Sequence, residues 1–173
     1  MAVPAPSKRP RVLVVSPNRS HLALLARRLG AEGYAIITAS DGRAALGELH
    51  RSPIDLVIAE LVMTPMNGPE LTRAIREQTA FAEVPVMLIA SRAEPDPAVR
   101  AFAAGAEDVI LKPFHFEVLV ARIERRLAAA RRFAALRADM NAMDARAALK
   151  AIELGELKDR MYALEAERRR ISA

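Results

Sequence analysis

Five short apolar runs alternate with helical patterns along the first 130 residues. None of the runs shows the polar alternation of a half-exposed strand, and their length is that of buried strands. Short connections through helices predict parallel strands joined by right-handed crossovers. The pattern predicts a doubly wound α/β domain over residues 11–130, with its working site at the carboxyl ends of the strands. The predicted strands are Arg11–Val15, Tyr34–Thr38, Ile54–Ala59, Val84–Ala90 and Asp108–Leu111.

Local signals predict where several helices begin and end. Ser16 followed by Pro17 has the pattern of an N-cap with proline at the first helical position, and Gly30 is expected to end that helix. Asp41 is the expected N-cap of the second helix, and Gly105 ends the fourth.

A last helical pattern begins near His115 and runs almost to the end of the chain. Its first turns are expected to pack on the sheet through Leu119, Val120, Ile123 and Leu127. Beyond residue 130 a 3-4 spacing of apolar residues continues over more than five heptads, which is typical of a coiled coil. Its positions are Phe133, Leu136, Met140, Met143, Ala147, Lys150, Leu154, Leu157, Met161, Leu164, Arg168 and Ile171.

A lone helix with such a stripe would leave it in water, so residues 131–173 are expected to be a dimerisation tail. Two forms stay open because Gly155 and the Ala147–Lys150 region weaken the stripe. The favoured form is a continuous parallel homodimer, and the other is a helical hairpin broken near Gly155.

Composition excludes several classes of function. The chain has no cysteine, and His21, His50 and His115 show no metal-ligand spacing. No apolar run reaches the roughly 18 residues of a membrane helix, and residues 1–10 read as a disordered arm without a signal peptide. A cytoplasmic protein without a membrane contact is therefore expected.

The net charge of +5 lies in the tail. Of the 26 basic and 21 acidic residues, residues 1–120 hold 13 of each, and residues 121–173 hold the other 13 basic and 8 acidic ones. A solvated helix face is the favoured explanation, and nucleic-acid binding by the basic tail is the alternative.

Four segments carry a resemblance to a known family. VLVVSPN, DLVIAELVMTPMNG, VPVMLIAS and GAEDVILKPF resemble the segments of a response-regulator receiver domain of the two-component type. The resemblance implies a flavodoxin-like sheet of order 2-1-3-4-5 and phosphoryl transfer from a phosphohistidine to an aspartate. It also implies an acidic pair that holds Mg²⁺ after the first strand, a hydroxyl after the fourth and a lysine after the fifth.

This sequence departs from that pattern at most of these positions. The acidic pair is replaced by Ser16 and Pro17, the aspartate by Glu60, and the hydroxyl by Ala90, while Lys112 is retained. The position of a frequent switch aromatic holds Val109. Without the metal ligands and the nucleophile, ordinary phosphoacceptor activity is not expected, so the domain is interpreted as a degenerate, non-enzymatic receiver without a cofactor.

Glu60 is expected to reach Lys112 and either to imitate the phosphorylated state or to be a tolerated polar residue at a strand end. The expected partner is a histidine kinase or another regulator, besides a second copy of the chain. A DNA-binding regulator and a residual phosphoacceptor remain the alternative functions. The expected partner surface comprises Val99, Arg100, Ala103, Val118 and Arg122.

Overall fold

The computed structural model describes residues 9–171, in which strands and helices alternate. The strands are β1 (Arg11–Val15), β2 (Ala35–Ala39), β3 (Leu56–Glu60), β4 (Val86–Ser91) and β5 (Asp108–Lys112). The helices are α1 (Arg19–Ala31), α2 (Gly42–Arg51), α3 (Gly68–Glu77), α4 (Pro97–Ala103) and α5 (Phe116–Ile171).

All five strands are parallel and lie in the order β2-β1-β3-β4-β5, so the predicted sheet is confirmed. β1 lies between β2 and β3, and its Val12 is paired with Ile36 on one side and Leu56 on the other. The order reverses at β1, and the carboxyl ends of β1 and β3 therefore border the crevice where this fold places its working site.

Side chains on the two faces of the sheet form two separate cores. Leu13, Val57 and Leu88 point into a cluster completed by residues of α2 and α3. Val14 and Ile58 point the opposite way, into a cluster completed by α1 and the first turns of α5. Because successive residues of a strand face opposite sides, burial of both faces explains the uninterrupted apolar runs of the sequence. The predicted packing residues of α5 are all in or against the second cluster: Leu119, Val120, Ile123 and Leu127.

The strand bounds differ from the predicted ones by one or two residues, and β1 is the strand predicted without error. The predicted start of the first helix is wrong. Asn18 is the N-cap of α1, and its side-chain oxygen accepts a hydrogen bond from the His21 N–H at 3.0 Å. Ser16 is instead buried two residues earlier, where its hydroxyl accepts a 3.2 Å hydrogen bond from the Asn18 N–H.

The predicted end of this helix at Gly30 is also wrong, because α1 continues to Ala31. The glycine that the turn requires is Gly33, whose φ of +93° lies in the left-handed region that side chains disfavour. Asp41 is confirmed as the N-cap of α2, with its carboxylate accepting from the Arg43 and Ala44 N–H groups.

The chain divides into two compact units between residues 130 and 131. In the second unit every described residue is helical and exposed. The helix passes through Gly155 without a break, so the hairpin is wrong for the described chain. No helix within residues 9–171 is long and apolar enough to cross a membrane. A disordered N-terminal arm was predicted for residues 1–10. Residues 1–8 of that arm lie outside the described residues.

Candidate functional site

Three strands deliver polar side chains to the carboxyl edge of the sheet. Ser16 directly follows β1, Glu60 is the last residue of β3, and Lys112 is the last residue of β5. The sequence separates Glu60 from Lys112 by 52 residues, and the parallel sheet brings their side chains together. Gly68 at the start of α3 permits this strand end, because a Cβ there would lie 2.5 Å from the Glu60 carbonyl oxygen.

The Glu60 carboxylate is the centre of the cluster. The Lys112 ammonium donates to both of its oxygens, at 2.7 Å to Oε1 and 2.9 Å to Oε2. The His21 Nδ1 lies 2.7 Å from Oε1, and the Ser16 hydroxyl donates to the same oxygen at 3.4 Å. The predicted contact between Glu60 and Lys112 is therefore present, while His21 and Ser16 add two contacts that the sequence did not indicate.

The direction of the hydrogen bond between His21 and Glu60 depends on which ring nitrogen carries a proton. An ionised carboxylate only accepts hydrogen bonds, so Nδ1 must be protonated, in either the neutral or the charged ring. The Glu60 side chain is 15% exposed, that of His21 19%, and that of Lys112 39%. The carboxylate is thus mostly screened from solvent and is contacted by three side chains.

The donor set does not fit the Mg²⁺ site that the family resemblance implies. Mg²⁺ requires several hard oxygen ligands, and a site of this kind is usually built with more than one carboxylate. Pro17 has no side-chain oxygen, Ser16 offers a neutral hydroxyl, and both oxygens of Glu60 accept from Lys112. Among residues 9–171 no group of three or more metal-binding side chains is close enough to hold an ion.

The position near the end of the fourth strand at which the resemblance implies a hydroxyl holds Ala90 instead. Ala90 is fully buried in the first core cluster. The hydroxyl of the next residue, Ser91, accepts a hydrogen bond from the Ala93 N–H at 3.2 Å. Val109, at the position of the switch aromatic, is partly buried and packs against the same core cluster. Neither position places a polar group against Glu60.

The predicted partner surface is only partly available. Val99 is 67% exposed and Val118 is exposed as well, whereas Arg100 is half-buried. Arg122 is engaged in an ion pair with the buried Asp108, at 2.6 Å. Ala103 is exposed, and the neighbouring Phe102, which the sequence interpretation did not include, is 53% exposed. The exposed part of this surface is thus formed more by the apolar residues of α4 than by Arg100 and Arg122.

The ion pair between Arg76 and Glu107 was also not predicted from the sequence. The Arg76 guanidinium donates to both Glu107 oxygens at 2.7 and 2.8 Å and to three backbone carbonyls. Arg76 joins the end of α3 to the residue before β5. None of its five hydrogen-bond contacts involves Glu60. Its five hydrogen bonds satisfy the whole guanidinium fork, which indicates a structural role.

The sheet order and the carboxylate–lysine pair at the ends of β3 and β5 define a flavodoxin-like α/β domain of the receiver type. Residues 12–124 match the family described as the response regulator receiver domain, and the chain belongs to this family.

The similarity to curated relatives covers only part of each relative's length. The transcriptional regulatory protein PrrA of Mycobacterium tuberculosis is 35% identical over 115 residues, which are 66% of this chain and 48% of PrrA. The sensor histidine kinase TmoS of Ectopseudomonas mendocina is 32% identical over 117 residues, 68% of this chain and 12% of TmoS. The chain therefore spans about half or less of these proteins.

Solved structures show the same fold. The signal receiver domain of a histidine kinase from Syntrophus aciditrophicus has a TM-score of 0.66 at 29% identity, covering 69% of this chain and 91% of that one. The chemotaxis protein CheY4 of Vibrio cholerae has a TM-score of 0.64 at 29% identity, covering 68% and 98%. The family match ends at residue 124, before the tail begins.

Proposed function

We propose that this receiver domain signals without phosphoryl transfer, as a protein–protein interaction module in a two-component pathway. The observation that carries the proposal is the Glu60 carboxylate, held by Lys112 and His21 beside a Ser16–Pro17 pair that cannot replace two acids. Without two acids at positions 16 and 17, the site lacks the ligands that would hold a metal ion to neutralise the phosphoryl oxygens. The domain therefore acts through its surface and is not an enzyme.

The site also supports one fixed signalling conformation. Phosphorylation adds negative charge next to the retained lysine of a receiver, and here a carboxylate already occupies that lysine. Because Glu60 contacts Lys112 and His21 together, neither side chain is left to respond to a new charge. The fully buried Ala90 offers no hydroxyl to move.

Mass spectrometry tests the absence of phosphoryl transfer. The intact protein is incubated with acetyl phosphate and Mg²⁺, and we expect no phosphorylated species. The matched control is the triple variant Ser16→Asp, Pro17→Asp, Glu60→Asp, which restores the acids and should gain phosphate. Phosphorylation of the unchanged protein that is lost in Glu60→Gln would contradict the proposal.

The proposed partner of the receiver surface is a histidine kinase or another regulator. The exposed apolar residues of α4, Val99 and Phe102, support this because large exposed apolar side chains often mark interaction sites. In a pull-down against purified candidate kinases, Val99→Asp should reduce capture at least tenfold. Leu24→Asp, at an exposed leucine of α1, is the matched control and should leave capture unchanged. Equal capture by both variants would reject this surface.

The second part of the proposal is that the chain forms a homodimer through residues 131–173. The nine large apolar residues of the stripe are 56–81% exposed, which a monomeric helix would leave in water. Light scattering after size exclusion should give twice the monomer mass, and a variant ending at residue 130 should be monomeric. A 173-residue chain that stays monomeric at high concentration would refute the dimer. The stripe residues are Phe133, Leu136, Met140, Met143, Leu154, Leu157, Met161, Leu164 and Ile171.

A further inference from the structure

The charges beside the stripe of the second unit differ between its two edges. In the heptad that places Phe133 at position a, the g edge and the e edge border the apolar positions a and d. The g edge carries Arg132, Asp139, Arg146, Glu153, Arg160 and Glu167, and the e edge carries Arg137, Asp144, Ala151, Lys158 and Glu165. Each of these residues is helical and exposed.

A parallel in-register pair would bring like charges together. In such a pair each g residue faces the e residue five positions later on the other helix. Arg132 would then face Arg137, and Asp139 would face Asp144. The pairs Glu153 with Lys158 and Arg160 with Glu165 would only offset this repulsion.

The core of a parallel pair is also unfavourable. Each a or d residue would meet its own copy across the dimer axis, so Lys150 would face Lys150 and Arg168 would face Arg168. Two like charges between apolar layers are costly because neither has a counter-ion.

An antiparallel pair reduces both problems in one register. With Phe133 opposite Leu164 of the second copy, each a residue faces a d residue, and the charged Arg168 lies beyond the paired segment. Lys150 then faces the small Ala147, whose side chain leaves room for the lysine stem to reach the rim. The other layers are apolar: Phe133 with Leu164, Leu136 with Met161, Met140 with Leu157, and Met143 with Leu154.

The same register makes the whole g edge complementary. In antiparallel coiled coils g faces g, and every such pair here joins opposite charges, each formed twice by the two-fold axis. The pairs are Arg132 with Glu167, Asp139 with Arg160, and Arg146 with Glu153. On the e edge only Arg137 with Lys158 is repulsive. A shift by one heptad would instead face Arg146 with Arg160 and Asp139 with Glu167.

We infer that the second copy docks antiparallel on the tail, with residues 132–167 of the two chains paired so that Phe133 lies against Leu164. This inference rests on the homodimer proposed above and adds its direction and register. The apolar stripe provides the affinity, and the g-edge charges select the arrangement.

Disulfide trapping tests the direction in the 173-residue chain, which contains no cysteine of its own. Met140→Cys and Leu157→Cys variants are mixed in a glutathione redox buffer. Antiparallel pairing should give the 140–157 disulfide as the main product, identified by peptide mass. Dominant 140–140 and 157–157 disulfides would overturn the antiparallel register while leaving the dimer intact. A monomer in light scattering would instead overturn the proposed homodimer.

Charge exchange tests the register independently. Arg146→Glu should weaken dimerisation about tenfold, because two attractive pairs become repulsive. Glu153→Arg should do the same, and the double variant should recover the original dissociation constant. In a parallel dimer Arg146 faces Ala151 and Glu153 faces Lys158, so recovery in the double variant would be absent and the inference would fail.

Discussion

The substitution Glu60→Gln should destabilise the receiver domain measurably. Glutamine keeps the shape of the side chain but removes the charge that Lys112 and His21 contact at 2.7 Å. Loss of one partner from a fully buried ion pair costs about 3–5 kcal/mol, and an exposed pair contributes about 0–1 kcal/mol. Glu60 is 15% exposed but Lys112 is 39% exposed and can turn to solvent, so screening reduces the loss.

We therefore expect a loss of about 1.5 kcal/mol in the free energy of unfolding. For a domain of this size that corresponds to a fall in Tm of about 6 °C. Urea unfolding followed by near-ultraviolet circular dichroism is a suitable assay. Tyr34 is buried in the second core cluster and reports on the domain, whereas Tyr162 in the tail is exposed.

The matched control is Glu117→Gln, the same chemical change in an exposed ion pair. Glu117 is 79% exposed and its carboxylate lies 3.8 Å from the Arg28 guanidinium, so its loss should cost about 0.3 kcal/mol or less. If Glu60→Gln costs no more than this control, the carboxylate contributes nothing to the domain, and the idea that it fixes the conformation of the site is refuted.

Three further variants test the fold around the site. Asp41→Ala should cost about 1 kcal/mol at neutral pH. The Ala44 N–H bond, with smaller help from Ser40 and Arg43, holds the pKa of Asp41 below its ordinary value, so that this carboxylate stabilises above about pH 4. The cost of the variant, measured by urea unfolding, should shrink as the pH falls through the lowered pKa; a constant cost would contradict this. Gly68→Ala should cost about 2 kcal/mol because its Cβ meets backbone, and unchanged stability would show that the strand end can shift. Glu107→Gln should cost about 1 kcal/mol by loss of charge from its paired bonds to Arg76. Glu48→Gln should cost less, because the Arg51 side chain that Glu48 contacts is 76% exposed.

Much of the fold follows from local patterns in the chain. The apolar runs located all five strands, because strands buried on both faces need uninterrupted hydrophobes. Asp41 identified its helix start, since a cap depends on residues only two or three positions away. The departures from the receiver pattern at positions 16, 17 and 60 were identified from the sequence alone. So was the stripe of the tail, whose pairing is still a proposal.

Tertiary structure alone decided what the site residues do. Ser16 was taken for a helix cap, yet in the folded chain it is buried and donates to a carboxylate 44 residues away. His21 showed no metal-ligand spacing in the sequence and was assigned no role, but it lies against Glu60, which is 39 residues further along. Such contacts arise because a parallel sheet gathers distant strand ends at one edge, and the position of each side chain there depends on register and helix packing. No signal within a few neighbouring residues records that arrangement, so it becomes visible only when the whole sheet is assembled.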